Sequence, residues 1–127
     1  YFMASGLKNF FSNEFETNYG DDRDVTSHYY GNDYNKTKEA VIQAGKRLGY
    51  DATNIDDKYK EIFLASKTKG EIIVTIRTFS YYENSVDFKV ITHYIIPRGR
   101  AKKFAELMYQ DLDRLLVLKR KGDYNEW

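Results

Sequence analysis

Two long stretches of this chain alternate between apolar and polar positions with a period of two. Residues 71–81 set Ile72, Val74 and Ile76 on one side and Ile73, Thr75, Arg77, Phe79 and Tyr81 on the other. Residues 86–96 group Val86, Phe88, Val90, Tyr94 and Ile96 opposite Asp87, Lys89, Ile91, His93 and Ile95. Successive strand side chains point to opposite faces, and β-branched and aromatic residues suit the pleated surface. The stretches predict a hairpin that turns at Glu83, Asn84 and Ser85. Shorter strands are predicted before it over 50–55 and 58–67, the second around Ile62, Phe63, Leu64 and Ala65.

Helical periodicity brackets the strands. Ala40, Val41, Ala44 and Leu48 predict a helix over 36–48, with Asn35 as its cap and Gly49 as its left-handed stop. Phe104, Leu107, Met108, Leu112, Leu115 and Leu116 predict a second helix over 100–119, after Pro97, the only proline. Leu7, Phe10, Phe11 and Phe15 suggest a short amphipathic helix over 7–16, within a lead-in spanning 6–35. Helix, three or four strands, then helix predicts the α+β class. The expected form is a two-layer sandwich: an antiparallel β meander with an N-terminal and a C-terminal helix on one face. The domain is expected over 36–121, with a tag remnant at 1–5 and a frayed tail at 122–127.

Both faces of the hairpin are apolar. Ile72, Val74, Ile76, Phe88 and Val90 suit a face covered by helices, whereas Ile73, Ile91 and Ile95 ask for a second cover. The lead-in helix or a second subunit would supply it. The residues expected to share that face as an interaction surface are Arg77, Phe79, Tyr81, Ile91, His93 and Ile95.

Composition narrows the chemistry. A chain of 127 residues fits one domain, which buries roughly two-thirds of its unfolded surface. Twenty basic and nineteen acidic residues leave +1, so overall charge disfavours nucleic acid as a partner. The sum hides a gradient: residues 1–35 hold two basic and six acidic side chains, and residues 98–127 hold eight and five. There is no cysteine and there are two histidines, His28 and His93, so neither a thiolate nor a histidine-rich metal site is expected. No apolar run approaches the roughly 20 residues that span a bilayer, and the chain is expected to be soluble. Membrane attachment is expected only through a segment outside this sequence.

No nucleophile elbow, phosphate-binding glycine loop or dinucleotide fingerprint is present, so no catalytic residue, cofactor or metal is assigned. The basic turn Arg98, Gly99, Arg100, Lys102 and Lys103 opens the second helix, where cations oppose the helix dipole and free amides attract anions. It is the candidate anion or nucleic-acid site. Twelve tyrosines suit recognition more than catalysis. The leading expectation is a non-enzymatic interaction module that binds a protein or itself. In topology alone, helix, meander and closing helix resemble small α/β domains of bacterial envelope lipoproteins. That resemblance implies an extracytoplasmic setting and transfers no residues.

Overall fold

The alternation of β-branched residues produces the strands it predicts. The computed structural model describes residues 10–19, 23–122 and 124–125. The class is α+β and every strand pairing is antiparallel. The strands are β1 (Glu14–Glu16), β2 (His28–Tyr30), β3 (Asp51–Asp56), β4 (Glu61–Ser66), β5 (Gly70–Ser80), β6 (Glu83–Thr92), β7 (Leu118–Lys121) and β8 (Tyr124–Asn125). The helices are α1 (Tyr34–Leu48) and α2 (Arg100–Leu115). In space the order is β3-β4-β5-β6-β2-β7-β8, and β1 shares an edge of β6 with β2.

The expectation of three or four strands is therefore corrected to eight among the described residues. Neither helix is terminal, since β1 and β2 precede α1 and β7 and β8 follow α2. The domain thus reaches outside 36–121 on both sides. The four unforeseen strands have two to four residues each, too few for a period of two to register. The lead-in helix is also corrected. Phe10 and Phe11 are helical, but Glu14–Glu16 is a strand paired with β6, and residues 7–9 lie outside the described residues. So does the tag expected at 1–5. Part of the tail expected to fray pairs with β7 as β8.

Boundaries moved for local reasons. Asp33 rather than Asn35 caps α1, its carboxylate accepting from Lys36 N at 2.8 Å. Gly49 does end α1 in the left-handed region, at φ 96°. The hairpin turns at Tyr81 and Tyr82, two residues earlier than predicted. Asn84 is buried within the sheet instead, accepting from the Thr78 hydroxyl at 2.6 Å and donating to the Asn32 carbonyl at 2.8 Å. With both halves of its amide satisfied, Asn84 needs no turn. The same hairpin's second strand stops at Thr92, leaving residues 93–96 as a loop. Helix α2 stops at Leu115 because Asn32 and Gly31 capture the next stretch of backbone. Val117 N donates to the Asn32 side chain, and Gly31 N donates to the Val117 carbonyl.

One face of the sheet, carrying Ile62, Leu64, Ile72, Val74, Ile76, Val86, Phe88 and Val90, forms a single core with Val41, Ala44, Phe104, Ala105, Met108 and Leu112 of the helices. Phe15 and Tyr30 join from the short strands. Strands β1 and β2 leave a gap along the edge of β6, and side chains finish the ladder there. Phe88 N donates to Thr17 Oγ1 at 2.9 Å, and the Tyr109 hydroxyl donates to the Val86 carbonyl at 2.7 Å. Unpaired buried backbone groups would otherwise carry a desolvation cost.

Candidate functional site

Three arrangements of polar or exposed groups lie on this frame: a buried network, the open sheet face, and the end of the molecule beyond Thr92. The buried network was illegible in the sequence. His28, 1% exposed, lies between Asp113 Oδ1 at 2.8 Å and the Asp24 carbonyl at 2.9 Å, and stacks on Tyr109 at 3.7 Å. The Tyr30 hydroxyl donates to the same Asp113 oxygen at 2.7 Å. Both ring nitrogens are committed to oxygens of the protein and solvent does not reach the ring. A general base needs access to the proton it moves, so this cluster is built to hold β2 against α2 and not to meet a substrate. Burial, and then the Asp113 carboxylate, push the Tyr30 phenol well above its ordinary value. Burial and then Asp87 do the same to Tyr109, and burial raises Tyr50.

A pH dependence follows. Phenols of the unfolded chain ionise near pH 10, whereas these three stay protonated to higher pH in the folded state. The unfolded state therefore sheds protons first, and the stability held below about pH 10 is lost as pH rises beyond it. Alkaline titration is expected to show part of the tyrosinate absorbance developing only together with loss of the circular dichroism signal. Complete ionisation with the fold intact would contradict the burial of these rings.

Asp87 anchors a second buried group. Its Oδ1 accepts from the hydroxyls of Thr17 and Ser27, both at 2.7 Å, and its Oδ2 accepts from Arg77 at 3.2 Å. The alternation places Asp87 on the outer face of the sheet, yet Thr17 and Ser27 cover it and it is 8% exposed.

Among the described residues nothing covers the rest of that outer face. Phe63, Ile73 and Ile91 are half-buried and, with Thr53, Ala65 and Glu71, surround an apolar hollow of about 230 Å³. Beside it a hollow of about 330 Å³ is lined by Glu16, Glu61, Thr75, Arg77, Asp87 and Lys89. Among the described residues the lead-in does not lie across these side chains; residues 6–9 and 20–22 of it are not among them. Glu14–Glu16 runs beside β6, and Phe15 turns to the helix side opposite Val90.

The residues predicted to share this face are distributed along it. Arg77 bonds Asp87, and Phe79 packs on Tyr29 at 5.6 Å near the hairpin turn, where Arg120 lies over Tyr29 at 3.8 Å. Tyr81 is exposed in the turn itself, edge-on to Tyr82. Ile91 lines the apolar hollow. His93 stands at the opposite end in an exposed pair with Glu71 at 3.2 Å, and Ile95 lies past the strand. The face therefore brings Arg77 and Phe79 together with Tyr29, a member missed in sequence, and separates them from His93 and Ile95. Tyr29 could have been found only by pairing His28–Tyr30 with β6 across about 55 residues of chain.

The basic turn is ordered. Arg98 and Gly99 both adopt left-handed backbone, at φ 52° and 70°. Arg100 folds its guanidinium onto the Tyr94 ring at 4.0 Å and donates to the Ile96 carbonyl at 3.3 Å. Arg98 and Lys103 are exposed and Lys102 is half-buried, so the five residues do not converge as one cradle. Among the described residues there is no group of three histidine or acidic side chains placed to hold a metal ion. No protein-family model matches the sequence, and no curated protein matches it either.

Proposed function

We propose that this chain is a non-enzymatic binding module that takes an anchor side chain of a protein partner into the hollow on its open sheet face. The observation that carries this reading is the apolar hollow among Phe63, Ile73 and Ile91. At about 230 Å³ it is smaller than the roughly 300–1,000 Å³ of small-molecule sites. It is also too apolar to orient a polar substrate, but it suits one buried anchor within a wider contact. The flanking Glu61, Glu71, Arg77 and Lys89 carry mixed charge, which serves orientation more than attraction to a polyanion. The aromatic end with Tyr29, Phe79 and Arg120 has the residue types that dominate contact energies.

Ile73→Lys tests the proposal by placing an ammonium in the hollow. Ile73 is only half-buried, so the melting temperature is expected to fall by no more than a few degrees. A photo-reactive residue at position 73 is expected to give a discrete protein adduct in cells, whereas one at exposed Lys46 on α1 gives none. Lysine at 73 should weaken capture of that adduct's partner at least about tenfold, the effect of roughly 1.4 kcal/mol. Monomeric sedimentation with no adduct at position 73 would end this reading.

A further inference from the structure

We infer that the end of the molecule formed by Phe10, Phe11 and residues 95–100 docks on an anionic lipid surface. This surface is separate from the hollow on the sheet face. Ile95 is 99% exposed and its neighbour Ile96 54%, and on the segment bonded to theirs Phe11 is 64% and Phe10 46% exposed. Exposed apolar side chains scattered singly need no explanation, whereas a group of them marks a contact surface.

These four side chains ride on two segments that are tied together. Gly99 N donates to the Phe10 carbonyl at 2.8 Å, Thr92 N donates to the Asn13 carbonyl at 2.7 Å, and the Asn13 amide donates to the Tyr94 carbonyl at 3.1 Å. Pro97 is buried behind them. Their exposure is therefore a property of an ordered, hydrogen-bonded end and not of a loose loop.

The charge around the apolar tip chooses the occupant. Arg98, Arg100, Lys102 and Lys103 lie within residues 92–105, which hold no acidic side chain. The carboxylates that strand pairing brings nearest are Glu14 and Glu71, both opposite Ile91, with Glu71 paired to His93, so the cations outnumber them four to two. An anionic headgroup layer complements that collar, and cations near such a surface each add to attraction within a Debye length. The isoleucines and phenylalanines then enter the boundary between headgroups and acyl chains, as apolar faces flanked by lysine and arginine do. Nucleic acid would satisfy the cations but offers little to a fully exposed isoleucine. A protein partner would meet a protruding aliphatic tip, whereas protein contacts concentrate their energy in aromatic and arginine anchors seated in pockets. Among the described residues no helix is long and apolar enough to cross a membrane, and docking of this kind needs none.

Co-sedimentation with phosphatidylcholine vesicles, with and without phosphatidylserine, tests the inference. The full chain is expected to sediment with the phosphatidylserine vesicles, less so as salt rises, and to stay in solution with phosphatidylcholine alone. The pair Ile95→Ser and Ile96→Ser, and separately Arg98→Ala and Lys103→Ala, should each lower partitioning by about tenfold. Melting curves check that all variants fold, which is expected because Ile95, Arg98 and Lys103 bury little. A tryptophan placed by Ile95→Trp should be quenched by brominated acyl chains. Failure to sediment with either vesicle overturns the inference. So does binding that ignores headgroup charge, or retention on heparin and vesicles that survives loss of both isoleucines, since that behaviour belongs to a polyanion site.

Discussion

Gly70→Ala is expected to lower the melting temperature by about 15 °C, a loss of roughly 4 kcal/mol out of the roughly 5–15 kcal/mol typical of a folded domain. Gly70 opens β5 with φ at 123°, a backbone conformation that side chains rarely adopt. A Cβ there would be driven into the carbonyl oxygen of Ile91 and would lie 3.0 Å from the Thr92 Cα. Both obstacles are backbone of β6, which is held here by β5 on one edge and by Asn13 and Glu14 on the other and cannot step aside. Conformational strain of about 1–3 kcal/mol adds to an overpacking cost of similar size. Gly31→Ala is the control. Its Cβ would meet only the flexible Lys119 side chain, at 3.1 Å, without a left-handed backbone, and a loss under about 1 kcal/mol is expected. Thermal melts of the two variants settle the comparison, and a Gly70→Ala protein that melts within a few degrees of wild type would show that the pairing of Gly70 with Thr92 is wrong.

Asp87→Ala should be nearly as damaging, at about 3 kcal/mol, and Asp87→Asn should lose only about 1 kcal/mol. The difference identifies which partner matters. Arg77 is 54% exposed, so its ion pair with Asp87 contributes less than about 1 kcal/mol in water. The hydroxyls of Thr17 and Ser27 are buried, and alanine would strand both of them without an acceptor. Asparagine keeps an oxygen for the two hydroxyls and removes only the charge facing Arg77. Because Asp87 also holds the Thr17 hydroxyl that caps Phe88 N, the alanine variant should exchange the Phe88 amide proton faster than its strand neighbours. Chemical denaturation with amide exchange tests both parts. Equal losses for alanine and asparagine would mean that the Arg77 pair dominates.

Neither effect was visible in the residues alone. Gly70 reads as the end of a loop, and only the register that sets it opposite Thr92 makes it indispensable. Asp87 reads as a solvent-facing position on an alternating strand. It is buried because Thr17 and Ser27, about 60–70 residues earlier in the chain, close over it. The candidate surfaces divide in the same way. The basic turn, Phe10 and Ile95 are each named by local sequence, Phe10 in a covering helix and Ile95 on a sheet face, but their exposure and their meeting at one end depend on the tertiary structure, with the bond from Gly99 to Phe10.

What the amino-acid order determined by itself is whatever rests on neighbours in the chain. The 3.6-residue period of Ala40, Val41, Ala44 and Leu48 and the glycine after it define α1, and the period-two runs define β5 and β6 with the faces they present. The class follows from that order of elements. The tertiary structure alone decided the end of α2, the burial of His28 and Asp87 and, among the described residues, the number of strands and the openness of the outer face. Strands of three residues gain their stability from partners distant in sequence, so no local pattern announces them. Leu115, Leu116 and Leu118 continue a helical period quite well, and the helix stops there only because Gly31 and Asn32 offer Val117 a better place for its backbone hydrogen bonds. β1 does not cover an apolar outward-facing residue such as Ile73, because it took the edge of β6 rather than its face.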